Sequence, residues 1–320
     1  MMPTSAEDPS FTPLWSARPT VATDATIDHL HRLAQIGGKY TLDQLYEPNW
    51  GNIVLDVTGR GFATPTVRRS DVVFKVDYDL LDAQVVIAAN TGRRILPLAA
   101  GSVADFFKDF VAAATELGIP APGSTIEPEI ADAPHLDHDE QPRDYDQAVA
   151  RWIAAAYASA ADALVAWQAP YRGHRPRVGI MWGGFDLSAT RYNGHPSTPS
   201  GQAPMFQRNG MTEQVAAVGF VLGDDTTPSN FYGYVSPPPD GFADIDLEVP
   251  GATFTTETGL ATLPWDAARS TADPTAAVIT FGDAIYRAAV ESGGWDAQLV
   301  LDRHDGWFAG HHPMYAATNS

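Results

Sequence analysis

Between residues 52 and 98 the chain breaks into short runs rich in Val and Ile, and the same rhythm returns between residues 178 and 256. Nothing constrains the fold more. Asn52 to Thr58, Phe62 to Val67, Val72 to Asp79, Gln84 to Ala89 and Arg94 to Leu98 are of strand length and are separated by turn residues such as Gly59-Arg60-Gly61 and Asn90-Thr91-Gly92. The later block is Val178 to Trp182, Phe185 to Tyr192, Glu213 to Val221, Phe231 to Val235 and Ala252 to Thr256. Each block is preceded by a helical pattern and followed by a Leu-Pro segment and an amphipathic helix. The expectation is an α+β fold made of two similar helix–antiparallel sheet–helix halves, read as an internal duplication.

The helices carry their own signals. Ile27, His29, Leu30, Leu33 and Ala34 have helical spacing, and Gly37-Gly38 is expected to stop that helix. Ser102 with Asp105 three residues on is an N-cap pattern, and Val103, Phe106, Phe107, Phe110, Val111, Ala114 and Leu117 continue one apolar stripe. Asp146 to Gln168 is Ala-rich and ends before Pro170, and a last helix runs from about Thr275 to Glu291. The expected organisation is a leader over 1–25 that is partly disordered, a first half over 26–118 and a Pro-rich acidic linker over 119–144. A second half over 145–297 and a tail over 298–320 complete it.

Composition excludes several function classes. There is no cysteine among the 320 residues, so thiolate metal sites, disulfides and cysteine nucleophiles are absent. A formal charge of −19 opposes a phosphate backbone, whose binding needs Lys and Arg, so no nucleic-acid partner is expected. The first residues, Met1-Met2-Pro3-Thr4-Ser5-Ala6-Glu7-Asp8, have neither a basic nor an apolar targeting stretch, and no membrane partner and a cytoplasmic location are expected. The sequence also leaves a homodimer open. A dinucleotide fingerprint, a P-loop, a Gly-x-Ser-x-Gly elbow and a His-Glu-x-x-His pair are all missing, so no cofactor and no metal are expected.

Several segments spread over residues 26 to 297 resemble the domain of unknown function 5996 family. They include His29-Leu-His31-Arg-Leu-Ala-Gln35-Ile-Gly-Gly-Lys39, Val57-Thr-Gly-Arg60-Gly61-Phe62, Val76-Asp77-Tyr78-Asp79 and Met181-Trp182-Gly-Gly-Phe185-Asp186-Leu-Ser-Ala-Thr-Arg191-Tyr192. The last block is the most specific, and Gly184 stands where the family pattern has Ser. The resemblance also implies that family histidines flanking Trp50 are replaced here by Asn49 and Asn52. A further family His-Glu pair is replaced by Glu213-Gln214. Amides are poor ligands and poor proton carriers, so the chain reads as a specialised member with a substrate of its own.

Among candidate residues, Asp186 lies inside an apolar strand block, where a charge needs a partner or a wet cleft. Strand alternation puts Asp186 and Arg191 on opposite faces. Asp77 and Asp79 share one face, as a carboxylate pair or as a solvated surface. His29 is a candidate proton carrier or a structural histidine. The leading expectation is a cofactor-independent lyase, isomerase or cyclase acting on a small organic substrate in specialised metabolism. In it Asp186 or His29 moves a proton, and Arg60 or Arg191 holds an anionic group. Trp50, Asn52, Trp182, Phe185, Tyr192 and Gln214 bind substrate. The rivals are a metal-dependent enzyme drawing on His29, Glu213, Asp77 and Asp79, and a non-catalytic binding or scaffold protein.

Overall fold

The fold is α+β, as the alternation of strand blocks and amphipathic helices implied. The computed structural model describes residues 12–301 apart from positions 131, 200 and 204. The histidine pairs and aromatics of the tail, His304 to Tyr315, lie outside the described residues. The chain divides into two compact units that are not the two contiguous halves expected. The first takes 1–161 with 179–187 and 221–229, and the second takes 162–178, 188–220 and 230–320.

In the first unit, helix α1 (Asp24–Gly38) precedes strands β1 (Val54–Thr58), β2 (Gly61–Ala63), β3 (Val67–Arg69), β4 (Val72–Asp79), β5 (Gln84–Ala89) and β6 (Gly92–Pro97). Helix α2 (Val103–Glu116) follows, and helix α3 (Gln147–Gln168) begins in this unit. Strand β7 (Gly179–Met181) returns to pair with β1, giving the antiparallel order β7-β1-β2-β4-β5-β6, with β3 on β4. In β4 the even positions Phe74, Val76 and Tyr78 are buried, while Val73, Lys75 and Asp77 between them are half-buried. Ser102 caps α2 as its spacing implied, its hydroxyl accepting the Asp105 amide at 3.1 Å.

In the second unit, β8 (Asp186–Pro196) leads away from its first two residues. A short helix α4 (Met205–Gly210) then precedes β9 (Glu213–Val221), β10 (Asn230–Ser236), β11 (Thr253–Thr255) and β12 (Leu260–Pro264). Helices α5 (Trp265–Arg269) and α6 (Pro274–Glu291) close it, and its strands run in the order β11-β12-β10-β9-β8. The two strand orders do not establish a duplication.

Helix α1 ends at Gly38, as the Gly37-Gly38 pair implied, and the chain continues directly into a 3₁₀ turn at Lys39–Asp43. The glycines also serve close packing. A Cβ on Gly37 would lie 2.7 Å from the Tyr78 hydroxyl, and one on Gly38 would lie 2.5 Å from the Trp182 indole. The leader is tied down from residue 12 onward, with the Trp15 amide on Ser159 Oγ at 3.0 Å and Arg18 donating to the carbonyls of Leu222 and Asp224. By length and composition alone, helix α3 is long and apolar enough to cross a membrane. Yet 67% of its apolar window is buried in the protein, as in a core helix.

Candidate functional site

The site forms where β7 turns into β8. Trp182, Gly183, Gly184 and Phe185 make a tight turn, closed by the Phe185 amide donating to the Met181 carbonyl at 2.7 Å. Phe185 sits at φ 59°, a left-handed conformation uncommon for a bulky residue. Its ring explains why the strain is tolerated. It is buried, stacks on His31 at 5.3 Å and meets Phe62 and Tyr157 edge-on, each at 5.6 Å. Two side chains also grip the turn's carbonyls. His31 Nε2 lies 2.7 Å from Gly183 O, and the Tyr157 hydroxyl donates to Phe185 O at 2.6 Å. A carbonyl only accepts, so His31 carries its proton on Nε2. Burial keeps that imidazole below its ordinary pKa, against the pull of the Gly183 bond, and it is neutral at pH 7.

Directly after the turn comes Asp186, and facing it is Glu129. A Cβ on Gly183 would lie 2.0 Å from Glu129 Oε1. One on Gly184 would lie 2.8 Å from Asp186 Oδ1 and 3.3 Å from Glu129 Oε2. The two carboxylates therefore border one small space that only glycine leaves open. Gly184 and Glu129 are exposed, so that space meets solvent. Crowding around the Glu129 carboxyl, and after it the Asp186 charge, pushes its pKa up to about 7. Because the residue is exposed, water screens the pair, and the stability linked to this shift is small.

Glu129 belongs to the stretch expected to be a linker, and sequence reasoning passed over it. The stretch is instead fastened to α1. Arg32 donates to Glu127 Oε1 at 2.8 Å, Gln35 donates to Glu127 Oε2 at 3.2 Å, and Lys39 donates to the Ile126 carbonyl. Further along, Asp139 lies 2.8 Å from Arg143 and 3.4 Å from Arg32, and both its carboxylate and that of Glu127 are buried. Lys39 also stands 4.6 Å over the Trp182 ring, and burial lowers its pKa to about 8. One face of α1 thus holds the 126–139 segment along its length.

The profile of the family of unknown function DUF5996 matches residues 15–301. The chain belongs to that family. No curated protein and no solved structure matches it.

In this DUF5996 member the other candidate residues are placed as follows. His29 is buried in α1 with Nε2 3.1 Å from Ala99 O, and burial lowers its pKa. Of the two histidines it is His31, set aside in the sequence reading, that reaches the turn. Trp182 is buried and donates to Thr41 Oγ1 at 3.2 Å. Like Phe185, it supports the turn from the protein side. Asn52 accepts from the Glu47 amide and donates to Thr41 O, each at 3.3 Å, so its amide serves local structure. Asn49 and Trp50 occupy consecutive left-handed positions at φ 56° and 58°. Arg60 is held by Asp79 at 2.7 Å and Asp82 at 2.6 Å. Burial works against the Asp79 charge, but the bonds from Arg60, the Asp82 amide and Gln84, with the Arg60 charge, together outweigh it and keep that carboxyl below its usual value, while burial raises Asp77.

Arg191, Tyr192 and Gln214 belong to the second unit and have partners there. Arg191 is completely buried, 4.0 Å over the Trp167 ring and 4.8 Å from that of Tyr286, with the Trp167 carbonyl as acceptor and Asp283 at 3.8 Å. Tyr192 stacks on His174 at 5.1 Å and donates to Gly210 O, and Gln214 accepts from Asn193 at 2.8 Å. Glu213 lies 3.3 Å from His174. Among the described residues, no three His, Asp or Glu side chains cluster as metal ligands would, and His29, Glu213, Asp77 and Asp79 are not gathered into one set.

Proposed function

We propose that this protein is a cytoplasmic enzyme that performs proton transfer on a small organic molecule without a cofactor, as a lyase, isomerase or cyclase. Glu129 and Asp186 are the acid and base. Burial, and after it the neighbouring carboxylate, disfavours ionisation of Glu129, so near pH 7 it exchanges between its protonated and ionised forms. The observation that carries this reading is the raised pKa of Glu129, about 7, beside Asp186 in a solvent-open gap lined by Gly183-Gly184. A protonated Glu129 gives its proton to a leaving oxygen or a developing carbanion while the Asp186 carboxylate takes one. Such chemistry conserves the substrate's atoms or shifts them by one water.

General acid–base groups contribute roughly 10²–10⁴-fold in rate. Incubating the protein with a small-molecule extract and following it by mass spectrometry should reveal a compound consumed to an isomer or to a product differing by water. That turnover should fall by about 10²-fold or more in Glu129→Gln and in Asp186→Asn. Turnover that survives both substitutions overturns the assignment. A compound that binds and is released unchanged points to a binding protein instead.

A further inference from the structure

Both carboxylates hang from segments that α1 holds, and neighbouring α1 residues do the holding. His31 bonds the Gly183 carbonyl and stacks on Phe185, immediately before Asp186. Arg32 and, one turn on, Gln35 bond Glu127, two residues before Glu129. Successive helix residues point about 100° apart, so one rigid element reaches two loops at once. No single regular element fixes their separation, since Asp186 is the first residue of β8 and Glu129 lies in an irregular stretch. We propose that His31 is the positioning residue of the Glu129–Asp186 pair, gripping the Gly183–Phe185 turn against α1 so that the Asp186 carboxylate stays on the gap Glu129 occupies. This rests on the reading that the two carboxylates act as a pair.

Charged and titratable groups face the assembly from several elements, Lys39 among them, 4.6 Å over the Trp182 ring. Asp28 and Arg32 act on His31 from α1, Asp186 acts on Glu129 from β8, and Tyr157 from α3 feels Asp186. Burial raises the Tyr157 hydroxyl, which remains a proton donor throughout the neutral range. His31 itself stays uncharged at pH 7, so it acts by its bond and its ring and moves no proton.

Carbon-13 NMR of the full chain labelled at glutamate carboxyls, with Glu129 assigned through Glu129→Gln, tests this without knowledge of the substrate. In the wild type Glu129 should titrate near 7, and the His31 ring Cε1 shift should inflect at the same pH, an inflection missing in Glu129→Gln. His31→Phe keeps a ring on Phe185 but loses the donor. It should lower the Glu129 pKa by about one unit or more, a tenfold loss of proton affinity. His31→Gln restores a donor and should recover part of the shift. A Glu129 pKa unmoved in folded His31→Phe overturns the proposal. Should that variant not fold, a wild-type His31 shift that ignores the Glu129 titration overturns it equally. Glu129 titrating near 4.5 in the wild type instead sinks the acid–base reading, leaving the contacts of His31 as structure only.

Discussion

Asp186 and Arg191 stand five residues apart on β8, yet their surroundings are opposite in kind. Arg191 points to the buried side of the strand with Leu187 and Ala189, caged by aromatic rings and provided with a backbone acceptor. Asp186 opens the strand on the other side, beside two glycines and a second carboxylate, in a space that reaches solvent. A cation over ring faces is in a favourable place, since the π quadrupole and the surrounding packing both stabilise it. Two like charges across a gap are not. The first arrangement serves the fold. The second raises the energy of one ionised carboxyl, which is the usual mark of a group kept for proton transfer.

The largest expected effect would come from emptying the cage. Arg191→Ala should cost about 3–5 kcal/mol in urea unfolding, because it leaves a cavity among Trp167, Tyr171 and Tyr286. Asp186→Asn should change stability by less than about 1 kcal/mol while removing the activity. If the two costs prove equal, the contrast between structural and functional charge is broken.

Next in size is Gly183→Ala. Its Cβ would lie 2.0 Å from Glu129 Oε1, so Glu129 must leave the gap, and its pKa should fall from about 7 toward the ordinary value of 4.5. Carboxyl NMR titration reads this directly. A value that stays near 7 would mean that burial elsewhere, rather than the Asp186 neighbourhood, holds the proton.

A smaller effect should appear in the pH dependence of stability. The folded Glu129 carboxyl titrates at about 7 against 4.5 for the free side chain, so the folded state binds that proton more tightly. Its contribution is therefore full below pH 4.5 and is lost as the pH rises through 7. Denaturation midpoints compared between wild type and Glu129→Gln over that window should differ in slope, the wild type losing more stability as the pH rises.

Smallest of all should be Arg60→Ala. Its guanidinium is 48% exposed in its pairs with Asp79 and Asp82, and such pairs contribute about 0.2–1 kcal/mol. A loss of activity with this variant would show that Arg60 meets substrate after all.

Much of the framework could be read from local pattern. β4 and β5 occupy the segments their alternation implied, and α2 begins after the Ser102 cap, because turn chemistry, capping and period-2 burial act over a few residues. Asp186 stood out for the same local reason, as a charge inside an apolar block. Glu129 did not, because what brings it to Gly183 is the grip of Arg32 and Gln35 on Glu127, across 95 and 92 residues of chain. A run containing Pro120, Pro122, Pro128, Pro134 and Pro142 looks like a linker whether or not a helix holds it.

By itself, then, the sequence determined the α+β class, the family and the absence of any thiol chemistry, since these depend on local periodicity, recurring motifs and composition. Tertiary structure alone decided which charges meet. It packed Gly37-Gly38 closely against Tyr78 and Trp182, closed Arg60 into a surface ion pair, sent Arg191 into an aromatic cage, and brought Glu129 to Asp186. Each outcome depends on segments far apart in the chain arriving within a few ångströms of one another, and an electrostatic field has no signature in sequence until that distance is set.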